Sequence, residues 1–220
     1  MSAPLTTVTE PAWAVPSAVA LSDVEWLSCA EVRRTESPTA AGIHAALCWV
    51  RGVRREAPVS ERTERPVAAP LVRSELIAAM IAGAPDGDLL SGSRLLERTT
   101  REVPFRPSVA TDPRYVLAVW HALKWVMGEG GERCPYRLPV RNADGSPRTA
   151  DELYRAALVA HPGYATVPES RQRLRNEAET EARVSRQLAD TIAGAQAGHG
   201  TRTLSARSDR GSGDGVFRRG

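Results

Sequence analysis

The sequence has very little lysine and few aromatic residues. Lys124 is the single lysine among 29 Lys and Arg residues, and five Trp residues are accompanied by only two Phe. Arginine is the better ligand for phosphate and carboxylate, but the codon usage of a GC-rich bacterial or phage genome explains this bias without any function. The apolar residues are mostly Ala, Val and Leu, which favours helices packed through small side chains over an aromatic-rich β-sandwich. We therefore predict an all-α protein.

Signals for export, membrane insertion and disulfide formation are also missing. Cys29, Cys48 and Cys134 are scattered, without a CxxC pair. The first twenty residues lack a charged segment followed by an uninterrupted apolar one, and no stretch approaches the roughly 20 apolar residues that span a bilayer. A cytoplasmic location with reduced thiols is the prediction.

The common motifs of enzyme and metal sites are absent as well. The sequence contains no GxxxxGK[ST], HExxH, GxSxG or strand-preceded GxGxxG motif. His44 and Cys48 are one helical turn apart, but the closely paired ligands of structural zinc sites are missing. His121 and His161 are the candidate catalytic histidines, but His121 shares a predicted solvent-facing surface with Lys124, and a surface or capping role is more common for such histidines. We predict a non-enzymatic protein without a catalytic, metal or cofactor site.

What the sequence does contain is an apparent internal repeat. Segment 46–52, ALCWVRG, agrees with segment 122–128, ALKWVMG, at five of seven positions. With one extra residue in the loop that follows, the match continues, pairing Pro58, Pro70, Glu75 and Leu76 with Pro135, Pro147, Glu152 and Leu153. Self-similarity at a fixed spacing is typical of repeated structural units. We predict one helix–long loop–helix unit used twice and packed as a pseudo-symmetric pair around one core.

Local signals place the helices of this scheme. Capping boxes at Ser22–Glu25 and Thr149–Glu152 predict helices over 22–35 and 150–161. Glycines that can adopt a left-handed conformation end predicted helices at 38–52 and 114–128, with Trp49 and Trp125 in the core. Further helices are predicted at 71–83, 88–101 and 168–193. The apolar stripes predicted to be buried are Leu153, Ala156, Ala157 and Ala160, matched by Leu76, Ala79, Met80 and Gly83, and on the long helix Leu174, Ala178, Ala182, Val184, Leu188 and Ile192.

The predicted organisation has four parts. A disordered lead-in at 1–21 precedes a first helical unit at 22–112 and a second helical unit with the long helix at 113–193. A tail at 194–220, rich in Gly, Ser, Arg and Asp, is predicted to be disordered.

Two long connections are the candidate functional segments. We call residues 53–70 the first arm and residues 129–149 the second arm. Irregular connections of about twenty residues are usually functional or disordered. The second arm offers alternating apolar and basic side chains that suit an extended binding segment. Its predicted partner-binding residues are Tyr136, Arg137, Leu138, Val140 and Arg141.

These features give two hypotheses for function. The first is a non-enzymatic interaction or assembly protein whose duplicated helical body presents the arms to a macromolecular partner, which can be a protein or a second copy of the chain. The alternative is a nucleic-acid-associated accessory protein, because the tail has a surplus of three positive charges, as many as the formal net charge of +3 of the chain. The tail residues for this role are Arg202, Arg207, Arg210, Arg218 and Arg219.

Overall fold

A computed structural model describes residues 11–83 and 112–208, with side chains up to residue 198. In these residues the protein is all-helical, as predicted, and the only β pairing is an isolated bridge between Arg141 and Pro147. The helices are α1 (Ala18–Thr35), α2 (Pro38–Val50), α3 (Ala69–Ala82), α4 (Pro113–Met127), α5 (Ala150–Ala160) and α6 (Pro168–Ser208), with short 3-10 turns at Glu129–Gly131 and Pro162–Thr166. No helix in this part of the chain is both long and apolar enough to cross a bilayer.

The chain divides into two compact units, an N-terminal unit at Met1–Leu138 and a C-terminal unit at Pro139–Gly220. In the N-terminal unit α4 packs against both α2 and α3, and α1 packs against α2. The approach of α2 to α4 is close at Gly42, where an added Cβ would lie 2.3 Å from the carbonyl oxygen of Tyr115. A glycine is therefore required at this crossing.

The predicted glycines at the ends of α2 and α4, and the predicted burial of their tryptophans, are confirmed. Trp49 has no exposed surface and Trp125 is 8% exposed, so both tryptophans belong to the core. Gly52 and Gly128, which follow the two helices, have φ values of +80° and +66°, the left-handed conformation that ends a helix. Other apolar residues of the two helices are buried beside them, and Tyr115 is half-buried. The buried residues are Ile43, Ala46, Leu47, Val50, Val119, Ala122, Leu123 and Val126.

The start of α1 differs from the prediction. The side chain of Ser17, not Ser22, accepts the capping hydrogen bond, from the Ala20 amide at 3.3 Å. Because Ser22 and Glu25 lie inside the helix, the predicted capping box does not form. Residues just before the helix also pack on the core, since the amide of Val15 donates to the carbonyl of Val126 at 2.9 Å. The prediction of a disordered lead-in up to residue 21 is therefore wrong from residue 11 onward.

The structure does not confirm the predicted duplication. The first helices of the two copies, α2 and α4, end alike, but the second helices differ in their packing. α3 packs against α4 in the N-terminal unit, whereas α5 packs against α6 in the C-terminal unit. The predicted buried stripe on α5 is wrong because none of its residues is buried, whereas Leu76 and Ala79 on α3 are buried.

Helix α6 is longer than predicted. It runs from Pro168 to Ser208, so the predicted end at 193 and the prediction of disorder from Gly194 are wrong as far as Ser208. Leu174, Ala178, Ala182 and Ile192 are buried as predicted. Val184 and Leu188 are only half-buried, because the buried stripe passes through Ser185 and Ala195 instead. The predicted helix at 88–101 and the tail beyond residue 208 lie outside the described residues.

Candidate functional site

The first arm is held in place by a buried carboxylate. Glu75 on α3 is 1% exposed. Its Oε1 accepts hydrogen bonds from the amides of Val59 at 2.5 Å and Ser60 at 3.1 Å, and the Ser60 hydroxyl donates to Oε2. A carboxylate is buried at low cost only when such donors replace water. The conformation of the arm and the burial of Glu75 therefore depend on each other.

Further hydrogen bonds fix the rest of the first arm. The amide of Ala57 donates to the carbonyl of Arg62 at 2.8 Å and closes the turn around Ser60. Tyr115 on α4 donates its hydroxyl to the carbonyl of Pro58, and Trp13 donates its indole N–H to the carbonyl of Val67, both at 3.2 Å. Ala57, Val59 and Val67 are buried in the core cluster. This irregular segment is an ordered part of the N-terminal unit.

The outward side of the first arm carries charges of both signs. We call this surface the charged row; its exposed members are Arg55, Glu56, Glu61, Glu64 and Arg65. Arg65 also donates to the carbonyl of Arg54, so this member helps to hold the turn. Because the backbone beneath is fixed, the charged row is presented in one arrangement.

The part of the second arm in the N-terminal unit is also attached to the helices. Tyr136 is half-buried and its hydroxyl donates to Glu31 Oε2 on α1 at 2.9 Å. Burial first, and then the hydrogen bond and negative charge of Glu31, raise the pKa of the Tyr136 hydroxyl. Leu138 is partly buried against the core, whereas Arg137 is exposed.

The part of the second arm in the C-terminal unit forms a small hairpin. The amide of Val140 donates to the hydroxyl of Ser185, a fully buried residue of α6, at 3.0 Å. The amide of Arg148 donates back to the carbonyl of Val140 at 2.8 Å. A tight turn forms at Asp144–Gly145, where Gly145 has a φ of +86°, and Arg141 donates to the Gly145 carbonyl at 2.8 Å.

The five predicted partner-binding residues therefore have different environments. Arg137 is exposed on the N-terminal unit, where Tyr136 and Leu138 contribute to packing. Val140 and Arg141 belong to the hairpin of the C-terminal unit. Partner binding by these residues stays a prediction.

The predicted nucleic-acid tail is only partly described. Arg202 and Arg207 belong to the last turns of α6. Arg210, Arg218 and Arg219 lie outside the described residues.

His121 takes part in a surface network. Its Nδ1 is 2.8 Å from Glu132 Oε1, and Lys124 Nζ is 3.4 Å from Glu132 Oε2. The hydrogen bond from His121 is the main reason that the pKa of Glu132 is lowered. Lys124 also lies 4.3 Å above the Trp120 ring. His161, in contrast, is exposed and stacks on Tyr164 with ring centroids 5.6 Å apart.

His44 and Cys48 do come together on α2, at 3.6 Å between Nε2 and Sγ. Burial, followed by the charge of Glu25, raises the pKa of the Cys48 thiol to about 12. A thiol in this state is a weak nucleophile and a weak metal ligand. Between residues 11 and 83 and between 112 and 198, no group of three or more His, Cys, Asp or Glu side chains could hold a metal ion.

Two buried polar residues, Glu75 and Ser185, hold the arms. This role was not predicted from the sequence. Each lies within an otherwise apolar stripe, Glu75 beside Val72 and Leu76, and Ser185 after Ala182. A polar residue at such a position needs a buried partner. A polar residue within an apolar stripe is a signal that the sequence contains, although it does not identify the hydrogen-bond partner.

No family model matches the chain, and no significant similarity to a curated protein or to a solved structure was found. Function is therefore inferred from the geometry of the arms.

Proposed function

We propose that the protein is a non-enzymatic interaction or assembly protein that contacts a macromolecular partner through its arms. The observation that supports this function is the attachment of the first arm to the buried Glu75 carboxylate. Long irregular loops in compact domains are usually either functional or disordered, and this loop is ordered. Ordering a binding loop before the encounter removes part of the entropic cost of association.

The charged row favours a protein partner over nucleic acid. It contains three carboxylates, on Glu56, Glu61 and Glu64, beside two guanidinium groups. A surface that binds a phosphate backbone needs an excess of positive charge, whereas a mixed pattern provides register and specificity against a complementary protein surface. From the second arm, exposed Arg137 is the residue best placed to add to this recognition.

The proposed setting is the cytoplasm. Cys29, Cys48 and Cys134 are all free thiols, which suits a reducing compartment.

The test is capture of a partner from native extract by the tagged full-length chain, followed by affinity measurement with the purified partner. The arm variant replaces Arg55, Glu56, Glu64 and Arg137 by Ala, and the control variant replaces Arg171 and Glu179, two exposed residues of α6, by Ala. We expect the control to bind as the wild type does and the arm variant to bind at least about tenfold more weakly, which corresponds to about 1.4 kcal/mol. Equal affinity of all three proteins would refute the arm proposal.

The alternative function, nucleic-acid binding through the tail, rests on its positive charge. It is best tested by replacing Arg202, Arg207, Arg210, Arg218 and Arg219 by Gln in the full chain. Deletion from residue 195 is unsuitable because α6 continues to Ser208 and Ala195 is buried. If the tail binds nucleic acid, the Gln variant loses affinity and its salt dependence becomes shallower, by about 0.9 in the log–log slope for each phosphate that the tail no longer neutralises. An unchanged salt dependence would eliminate this function.

A further inference from the structure

A cavity of about 380 Å³ lies within the N-terminal unit. Its walls come from α1, α2, α4 and the start of the first arm. The lining residues are Val32, Ala41, His44, Ala45, Cys48, Val53, Arg54 and Tyr115. The volume falls within the range of about 300–1,000 Å³ that is typical of small-molecule sites.

One side of the cavity is apolar and uncharged. Val32, Ala41 and Ala45 supply aliphatic surface there. The Cys48 thiol is protonated at neutral pH, because its pKa is raised to about 12. The nearby Glu25 carboxylate, which is not part of the lining, is paired with Arg51. Within the described part of the chain no carboxylate lines the cavity, so an anionic ligand would meet no direct repulsion from these walls.

The polar groups of the cavity are held in position by the surrounding structure. The backbone of Arg54 is fixed on both sides, since its amide donates to the carbonyl of Cys48 at 2.9 Å and its carbonyl accepts from Arg65. The Tyr115 hydroxyl beside Arg54 is bonded to the carbonyl of Pro58. The His44 ring is oriented by a 3.3 Å contact between Nδ1 and the carbonyl of Glu25. A guanidinium that lies beside the Tyr115 hydroxyl and next to an apolar wall is the arrangement that recognises a carboxylate attached to an apolar group.

We propose that this cavity binds a small organic carboxylate, with the carboxylate paired to Arg54 and a compact apolar body against Val32, Ala41 and Ala45. Among the described residues that line the cavity, Arg54 is the only arginine or lysine, which favours a ligand with one negative charge over a polyphosphate. This site is independent of the charged row and is not required by the proposed interaction function.

The test uses phenylacetate as the probe and phenylacetamide, its uncharged counterpart of the same shape, for comparison. We expect phenylacetate to produce saturable amide shifts at Ala41, Ala45 and Arg54 in NMR titrations of the full chain, and phenylacetamide to bind about tenfold more weakly. The variant Arg54→Gln should lose about tenfold in affinity for phenylacetate but not for phenylacetamide. Arg55→Gln, the exposed neighbour outside the cavity, is the matched control and should bind as the wild type does.

A second variant tests the location without touching the charge. Val53 is 59% exposed and lines the cavity, so Val53→Trp can narrow the entrance without disturbing the core and should weaken both probes. Unchanged far-UV circular dichroism verifies the fold of each variant, and unchanged tryptophan emission also verifies the two Arg→Gln variants, which add no fluorophore. Absence of saturable shifts at the lining residues, retention of phenylacetate affinity by Arg54→Gln, or equal binding of inorganic phosphate would each overturn the proposal.

Discussion

Helices α3 and α5 carry glutamates at matching positions of the predicted repeat, yet these glutamates have different structural roles. Glu75 on α3 is buried and reaches back to the amides of Val59 and Ser60, sixteen and fifteen residues earlier. Glu152 on α5 accepts from the amide of Thr149, three residues earlier, at 2.7 Å, which completes a capping box. It also lies 3.4 Å from the side-chain amide of Asn142. Both carboxylates hold the preceding arm, but only Glu75 does so from the core.

The difference follows from the neighbours of each helix. α3 packs against α4 within the N-terminal unit, and Val72, Leu76, Ala78 and Ala79 are buried around Glu75. α5 packs against α6 and the adjacent 3-10 turn, and none of its residues is buried. A similar sequence pattern therefore leads to long-range hydrogen bonds of Glu75 in the N-terminal unit and to a local helix cap by Glu152 in the C-terminal unit. Because all five tryptophans precede residue 139, tryptophan fluorescence reports directly on the N-terminal unit.

The largest expected effect is the loss of stability of the N-terminal unit when Glu75 is replaced, which replacement of Glu152 should not reproduce. Glu75→Ala leaves two amides and a hydroxyl without their acceptor and opens space in the core, so we expect the free energy of unfolding to fall by about 3 kcal/mol. The measurement is urea denaturation followed by tryptophan fluorescence. Glu152→Ala should leave this transition unchanged and cause only a small loss of helical circular dichroism, because the capping box that it removes belongs to the short helix α5. Equal shifts of the fluorescence transition in both variants would mean that the two glutamates are equivalent after all.

Two glycines differ in the space that is available for an added Cβ. Gly42→Ala places a Cβ against the backbone oxygen of Tyr115, which cannot move as a flexible side chain would, and should destabilise the N-terminal unit by about 2 kcal/mol. Gly194→Ala on α6 is the control, since nothing lies within 4 Å of its added Cβ. This control should be neutral or stabilise the helix by up to about 1 kcal/mol. Thermal unfolding followed by both fluorescence and circular dichroism measures the two effects. If Gly42→Ala does not lower the stability of the N-terminal unit, α2 and α4 are less closely packed than described.

A third prediction concerns the hydrogen bond between Tyr136 and Glu31. Tyr136→Phe should lower the free energy of unfolding of the N-terminal unit by about 1 kcal/mol at neutral pH. The pKa of Tyr136 is raised above its usual value of 10.0 in the folded protein, so its stabilising contribution is complete below pH 10 and decreases as the pH rises further. The stability difference between wild type and variant should therefore shrink above pH 10. Urea titrations at pH 8 and above pH 10 test this, and a difference that does not change with pH would contradict it.

The smallest expected effect is at Ser185 in the C-terminal unit. Ser185→Ala removes the acceptor for the Val140 amide and should cost less than about 1 kcal/mol, because a single neutral hydrogen bond to a half-buried residue is lost. Faster hydrogen exchange of the Val140 amide, with an unchanged fluorescence transition, is the expected result. Unchanged exchange would show that the hairpin does not depend on Ser185.

Local signals predicted the helices well because their ends are determined by neighbouring residues. Gly52, Gly128 and the Thr149–Glu152 capping box act within one turn of the helices that they end or begin. The same reasoning failed at Ser22, because a second possible cap, Ser17, precedes it and begins the helix earlier. Local competition between caps of similar strength is not resolved by the pattern alone.

Long-range contacts could not be predicted in the same way. The partners of Glu75 and Ser185 are separated from them by many residues, and only the fold brings each pair together. The apolar pattern of α5 resembles that of α3, but burial depends on which helices surround it. The sequence therefore located the arms but did not indicate that buried polar groups hold them.

Hydrogen–deuterium exchange at the amides of Val59 and Ser60 in the full-length protein tests most directly whether the first arm is a fixed surface. If the Glu75 carboxylate holds these amides as described, their exchange is slowed to a rate similar to that of the buried amides of α3, and Glu75→Gln accelerates it. Exchange as fast as at exposed Thr63 and Glu64 would contradict the account.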